Sequence, residues 1–63
     1  MISKFEYRLV AYDRSAKIEG ETEVDGVLKL LNANGSQGYE LDRFEDSPDN
    51  RYRWIWMKRK IND

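Results

Sequence analysis

The chain contains no cysteine and no histidine, and among its 63 residues there are only one proline and four glycines. Without cysteine there is no disulfide framework, no thiolate nucleophile and no zinc ribbon or iron–sulfur site. Without histidine there is no Ser–His dyad, no imidazole base near neutral pH and no His-ligated metal. Carboxylates, lysines, tyrosines and hydroxyls are left as candidate catalytic groups. Long apolar runs are also missing. The opening Met1-Ile2-Ser3-Lys4-Phe5 alternates in polarity, shows no signal-peptide stretch, and nothing approaches a membrane span. No membrane association is expected, and the expected compartment is the cytoplasm.

Size is the next shortage. A chain of 7.5 kDa should expose about 10,900 Å² unfolded and about 4,200 Å² folded, burying roughly 60% of its surface. If somewhat over half of the buried area is apolar, that is on the order of 90–100 kcal/mol at about 25 cal/mol per Å². Ordering the chain at about 1.5 kcal/mol per residue costs roughly the same. An isolated monomer is expected to be marginal, and a partner would help it.

What is present is charge, and it is segregated. Eleven basic and twelve acidic side chains give a net charge of −1. Residues 1–17 hold four basic and two acidic groups, residues 18–50 two and nine, and residues 51–63 five and one. The chain reads basic, acidic, basic.

Phe5 to Tyr12 alternates, with Phe5, Tyr7, Leu9 and Ala11 on one face and Glu6, Arg8, Val10 and Tyr12 on the other, the period of a strand. The polar stretch Asp13–Gly20 reads as a connection. Thr22 and Asp25 stand three apart, as in a capping box, and Glu21 and Glu23 put negative charge at a helix start. Val24, Val27, Leu28 and Leu31 follow at the spacing of one apolar helix stripe. Asn32-Ala33-Asn34-Gly35 supplies the stop, with Gly35 expected in the left-handed position. About twelve helical residues span roughly 18 Å. A second strand runs from Tyr39 to Phe44, a turn cluster from Glu45 to Asn50 around Pro48, and a third strand from Arg51 to Arg59.

Glu6-Tyr7-Arg8-Leu9-Val10, the run Leu30-Leu31-Asn32-Ala33-Asn34-Gly35 leading to Gly38-Tyr39-Glu40-Leu41, and an aromatic strand ending Met57-Lys58-Arg59 resemble a bacterial and phage family of about sixty residues. This is the domain-of-unknown-function family four-one-seven-seven. Its members read Tyr-Glu-Tyr-Lys-Val-Val, then Leu-Asn-Glu-Leu-Gly-Ala-Glu-Gly-Trp-Glu-Leu, then a strand ending Phe-Lys-Arg. Here Tyr39 stands where the family usually has Trp, and Asn-Gly-Ser-Gln-Gly replaces Leu-Gly-Ala-Glu-Gly. The resemblance implies a fold and a bacterial or infected-cell setting. It carries no activity and no catalytic residues.

All eight aromatics (two Phe, four Tyr, two Trp) fall on the expected strands and none on the helix. One short helix covers one face of a three-stranded sheet, yet strands 1 and 3 carry large apolar groups on both faces, so something other than water should cover the second. Hairpin register decides which face holds the tryptophans: Leu41 opposite Trp54 places them under the helix, Leu41 opposite Ile55 turns them outward. Ile55 and Met57 are assigned to the helix side. Val10, Tyr12, Phe44, Trp54 and Trp56 are the expected interaction surface, with Arg8 and Arg53 as flanking anion-contact candidates.

Three readings of function follow. The first is a small non-catalytic interaction or oligomerisation module, a homodimer or a binder of another protein. The second is a phage-type inhibitor that binds a host defence protein or sequesters a nucleotide signal, motivated by the resemblance and the small size. The third is a binder of single-stranded nucleic acid, because Arg51, Arg53, Lys58, Arg59 and Lys60 are interleaved with Tyr52, Trp54 and Trp56 and could hold a strand whose bases stack. A pI near 5.4 and the acidic helix start oppose it.

Weaker patterns are turn chemistry. Gly35-Ser36-Gln37-Gly38 matches a GxxG loop but leaves a helix for a strand, at the dipole end that disfavours phosphate. Asn34-Gly35-Ser36 is a sequon without a secretory context. Glu45, Asp46, Asp49 and Asn50 offer oxygen ligands without EF-hand spacing, so no metal is assigned. Glu40 and Asp42 are the acids of a core strand, opposite in face to Tyr39 and Leu41, but so small a chain has little volume for a water-excluding cleft. No enzyme activity and no cofactor are expected. The expected architecture is a single α+β domain over residues 1–63, of order β-α-β-β: a three-stranded antiparallel sheet, strand 3 central, one helix packed on one face.

Overall fold

A computed structural model describes residues 3–16 and 18–62; Met1, Ile2, Lys17 of the polar connection, and Asp63 lie outside that range. Strands β1 (Ser3–Asp13), β2 (Glu40–Asp46) and β3 (Tyr52–Asn62) and helix α1 (Glu23–Gly35) follow in the order β1-α1-β2-β3. The sheet is antiparallel with β3 in the centre, order β1-β3-β2. The fold is the expected α+β arrangement. No helix among the described residues is long and apolar enough to cross a membrane.

The helix begins where its polar side chains can satisfy its free amides. The Asp25 N–H donates to Thr22 Oγ1 and the Thr22 N–H donates to Asp25 Oδ2, each at 3.2 Å, a reciprocal capping box. The other end differs from expectation. Gly35 is still helical, Ser36 caps with φ −64°, and the left-handed residue is Gly38 at φ +91°. The reason is Asn34, which is buried: its Nδ2 donates to Leu30 O at 2.8 Å and its Oδ1 accepts from Arg8 at 2.7 Å. Those bonds hold the last turn in place, and the reversal waits for Gly38.

The strands run longer than expected at their outer ends, with Glu45 and Asp46 in β2 rather than the turn. A bulge between Leu41 and Arg43 shifts the hairpin, so that Leu41 faces Met57 and Phe44 faces Ile55. Neither simple register holds, but the parity does: Ile55 and Met57 lie under the helix, 0% and 1% exposed, with Val27 and Tyr39 completing the buried core. Gly26 makes close packing feasible, since a Cβ there would collide with the Tyr12 ring.

Thirteen helical residues span about 20 Å, whereas eleven-residue strands run about 37 Å. The result is a slab of 47 × 25 × 12 Å. Its radius of gyration is 13.4 Å, against about 10.6 Å for a compact chain of this length. Its accessible area is 4720 Å², above the expected figure of about 4,200 Å².

Candidate interaction surface

The sheet's side facing away from α1 is built by alternation. In β1 the pairs Val10↔Ile55 and Tyr12↔Arg53 face the helix, so Leu9↔Trp56, Ala11↔Trp54 and Tyr7↔Lys58 face away. Phe5, Tyr7 and Leu9 are 44%, 63% and 47% exposed, beside half-buried Trp54 and Trp56. On β2 the same face is charged: Glu40 opposes Lys58, Arg43 opposes Trp56 and Glu45 opposes Trp54. This open face is therefore an apolar strip along β1, an aromatic centre on β3 and a polar rim on β2.

The rim closes on the aromatics. Arg43 lies 5.0 Å from the Trp56 ring, whose Nε1 donates to Glu45 at 3.2 Å. Lys58 stands 5.4 Å from the Phe5 ring and 3.5 Å from Asp42. Arg51 lies 5.1 Å from Tyr52 and pairs with Asp13. Asp13 is held down at about 2, from an ordinary 3.8, by the Ser15 hydroxyl and then by Arg51.

Three of the five residues expected on the interaction surface lie elsewhere. Val10 and Tyr12 pack against the core beneath α1, and Phe44, opposite Ile55, lines an apolar groove of about 370 Å³ with Val24, Val27, Leu28 and Leu31. Only Trp54 and Trp56 are on the open face. Phe5, Tyr7 and Leu9 take the places assigned to Val10 and Tyr12, because the β1–β3 register seats the smaller Val10 over Ile55.

The anion-contact candidates are likewise under the helix and already engaged. Arg8 stacks 4.2 Å from the Tyr39 ring centre and donates to Asn34 and Gln37. Arg59 stacks on the same ring at 4.5 Å, donates to Gln37 O at 2.8 Å and pairs with Glu6. Two guanidinium groups thus clamp one tyrosine at the C-terminal end of α1, where cations suit the helix dipole. At the other end Arg53 and Arg14 share Glu23 at 2.8 and 2.9 Å, and both reach Asp46. Arg14 foremost, with Arg53, holds the Glu23 carboxyl below its ordinary value. Neither Arg8 nor Arg53 flanks the tryptophans.

The turn carboxylates have protein partners: Asp46 takes Arg14, Glu45 takes Trp56, and Asp49 accepts from the Ser47 hydroxyl at 2.7 Å and the Arg51 N–H at 3.1 Å. Among the described residues no cluster of acidic side chains is grouped to hold a metal ion. Glu40, opposite Lys58, is exposed on the open face, and Asp42, exposed in the bulge, reaches the same Lys58 at 3.5 Å. Comparison with protein-family models, with curated proteins and with solved structures returns no match.

Proposed function

We propose that the chain is a small non-catalytic interaction module whose working surface is the open sheet face. One observation carries the reading: Phe5, Tyr7 and Leu9 form an exposed strip next to two tryptophans, on a face that no described element of the chain covers. Contiguous apolar surface of this kind is expensive to leave in water and marks contact sites, and aromatic anchors ringed by polar groups resemble the make-up of protein–protein interfaces. A protein partner suits the charge better than nucleic acid. Lys58 and Arg51 are paired with Asp42 and Asp13, and Glu40 and Glu45 stand among the cations, so the face lacks the unbroken positive field that phosphate binding uses.

A two-hybrid selection checks this. Partners selected by the wild-type chain should be lost with Trp54→Ser/Trp56→Ser and kept with Lys29→Ala on the exposed side of α1. Partners that survive the double substitution in a folded chain would place the working surface elsewhere.

A further inference from the structure

β1 is a free edge, and its free backbone belongs to the residues with the exposed side chains. The Arg14 N–H donates to Arg51 O at 2.8 Å, in register with the β1–β3 ladder. Antiparallel ladders alternate, so even-numbered residues of β1 spend their backbone groups on β3 and odd-numbered ones point theirs away from the sheet. Among the described residues the N–H and C=O groups of Phe5, Tyr7 and Leu9 therefore have no backbone partner, and their side chains are exposed. The other edge, β2, is shorter and bulged at Leu41/Arg43, a device that discourages strand addition, whereas β1 runs eleven residues with unbroken register.

We infer that β1 pairs antiparallel with β1 of a second copy about a two-fold axis through Tyr7, joining two sheets into one of six strands. Charge and face together select the register. Side chains meet across a continued sheet only when paired residues share a face, which restricts the axis to pass through a residue. Centred on Glu6 or Arg8, the pairing sets like charges against each other. Centred on Leu9, it sets Arg8 against Val10 and Glu6 against Tyr12; centred on Phe5, it opposes Glu6 with Lys4 but joins only Ser3–Tyr7 of each strand, leaving Leu9 unpaired. Centred on Tyr7, it sets Glu6 of each copy against Arg8 of the other on the helix side, and Phe5 against Leu9 beside Tyr7 on the open side. Glu6 and Arg8 then fall at non-hydrogen-bonded positions of the new ladder, where side chains approach most closely. Ala16 and Ile18, after β1, lie near Ala11 and Tyr12, four and five residues along the strand from the axis at Tyr7.

This goes beyond the reading of the open face: it shares Phe5, Tyr7 and Leu9 with that face, but its charge test acts through Glu6 and Arg8, on the opposite side of the sheet from Trp54 and Trp56. Sedimentation equilibrium from micromolar to millimolar concentration tests it. The wild-type chain should dimerise, and Glu6→Arg and Arg8→Glu should each weaken the dimer at least tenfold by setting like charges opposite. An equimolar mixture of the two variants should associate again, because every cross-strand pair is then Arg with Glu. Should either variant lose its circular dichroism signature, a synthetic chain with N-methyl-Tyr7 decides: it keeps the side chain and the β3 ladder, removes one outward N–H, and should stay monomeric. A monomeric wild-type chain, folded variants that do not complement, or an N-methylated chain that dimerises like the wild type would overturn the inference. A dimer abolished only by Trp54→Ser/Trp56→Ser would overturn it too, while leaving the open face as a working surface.

Discussion

The two faces of one sheet differ in what covers them: one is sealed under α1, and the other, left open, is the proposed contact face. Under α1, Ile55 and Met57 are essentially sealed, and charged groups flank them at both ends: Arg8 and Arg59 around Tyr39 at one end of the helix, Arg14, Arg53, Glu23 and Asp46 at the other. On the far face the aromatics are only half covered, by long cationic side chains laid over Trp56, Phe5 and Tyr52. Neighbouring residues on β3 therefore have different surroundings although they are 3.8 Å apart along the backbone. In so small a domain a face that no described element covers adds nothing to the core, in keeping with the slab shape and the excess of exposed area.

This comparison can be broken from the covered side first. Ile55→Ala removes side-chain volume from a fully enclosed site and should cost about 2–5 kcal/mol, read as a shift of the urea midpoint; for a domain this size that is enough to unfold a large fraction. A cost below about 1 kcal/mol would mean that the core is not where the structure puts it. Gly26→Ala is the next test. Alanine favours the helix by about 1 kcal/mol over glycine, yet the added methyl meets the Tyr12 ring, and overpacking costs about 1–3 kcal/mol. A net loss is expected there, whereas Gly35→Ala, which enters open space within the helix, should stabilise by up to about 1 kcal/mol.

Acid should sharpen the picture with a smaller effect. Asp13 titrates in the folded chain at about 2 instead of 3.8, and Glu23, Asp25 and Asp49 are also lowered. A carboxyl lowered by folding contributes stability above its unfolded pKa and loses it as pH falls through the folded value. The urea midpoint should accordingly be flat above the ordinary carboxylate range and fall between about pH 4 and pH 2. A midpoint that rises over that interval would contradict the assigned ion pairs.

Much of this was legible in the residues. The order of elements follows from period and turn chemistry, and Thr22 and Asp25 announce the helix start; the face of the tryptophans was left to the hairpin register, with Ile55 and Met57 assigned to the helix side. What was not legible shares a cause: it depends on pairings between segments far apart in the chain. β1 has apolar groups on both faces, so nothing local says whether Val10 and Tyr12 or Tyr7 and Leu9 go inside; the register against β3 decides, and no turn joins those strands. The bulge at Leu41/Arg43 is equally non-local, and it brought Phe44 onto the helix side. One signal was there to be read. Gly26 stands inside the helix but off the Val24, Val27, Leu28 and Leu31 stripe, and a glycine in such a place marks a close approach by a large neighbour, here Tyr12.

The proposed division of labour between the two faces is tested most directly by a serine scan along β3 from Trp54 to Met57, with unfolding free energy and partner retention measured on each variant. Stability should drop steeply at Ile55 and Met57 and by half as much or less at Trp54 and Trp56, while partner binding should be lost at Trp54 and Trp56 in chains that remain folded. Stability losses without a two-residue period, or folded tryptophan variants that keep every partner, would contradict it.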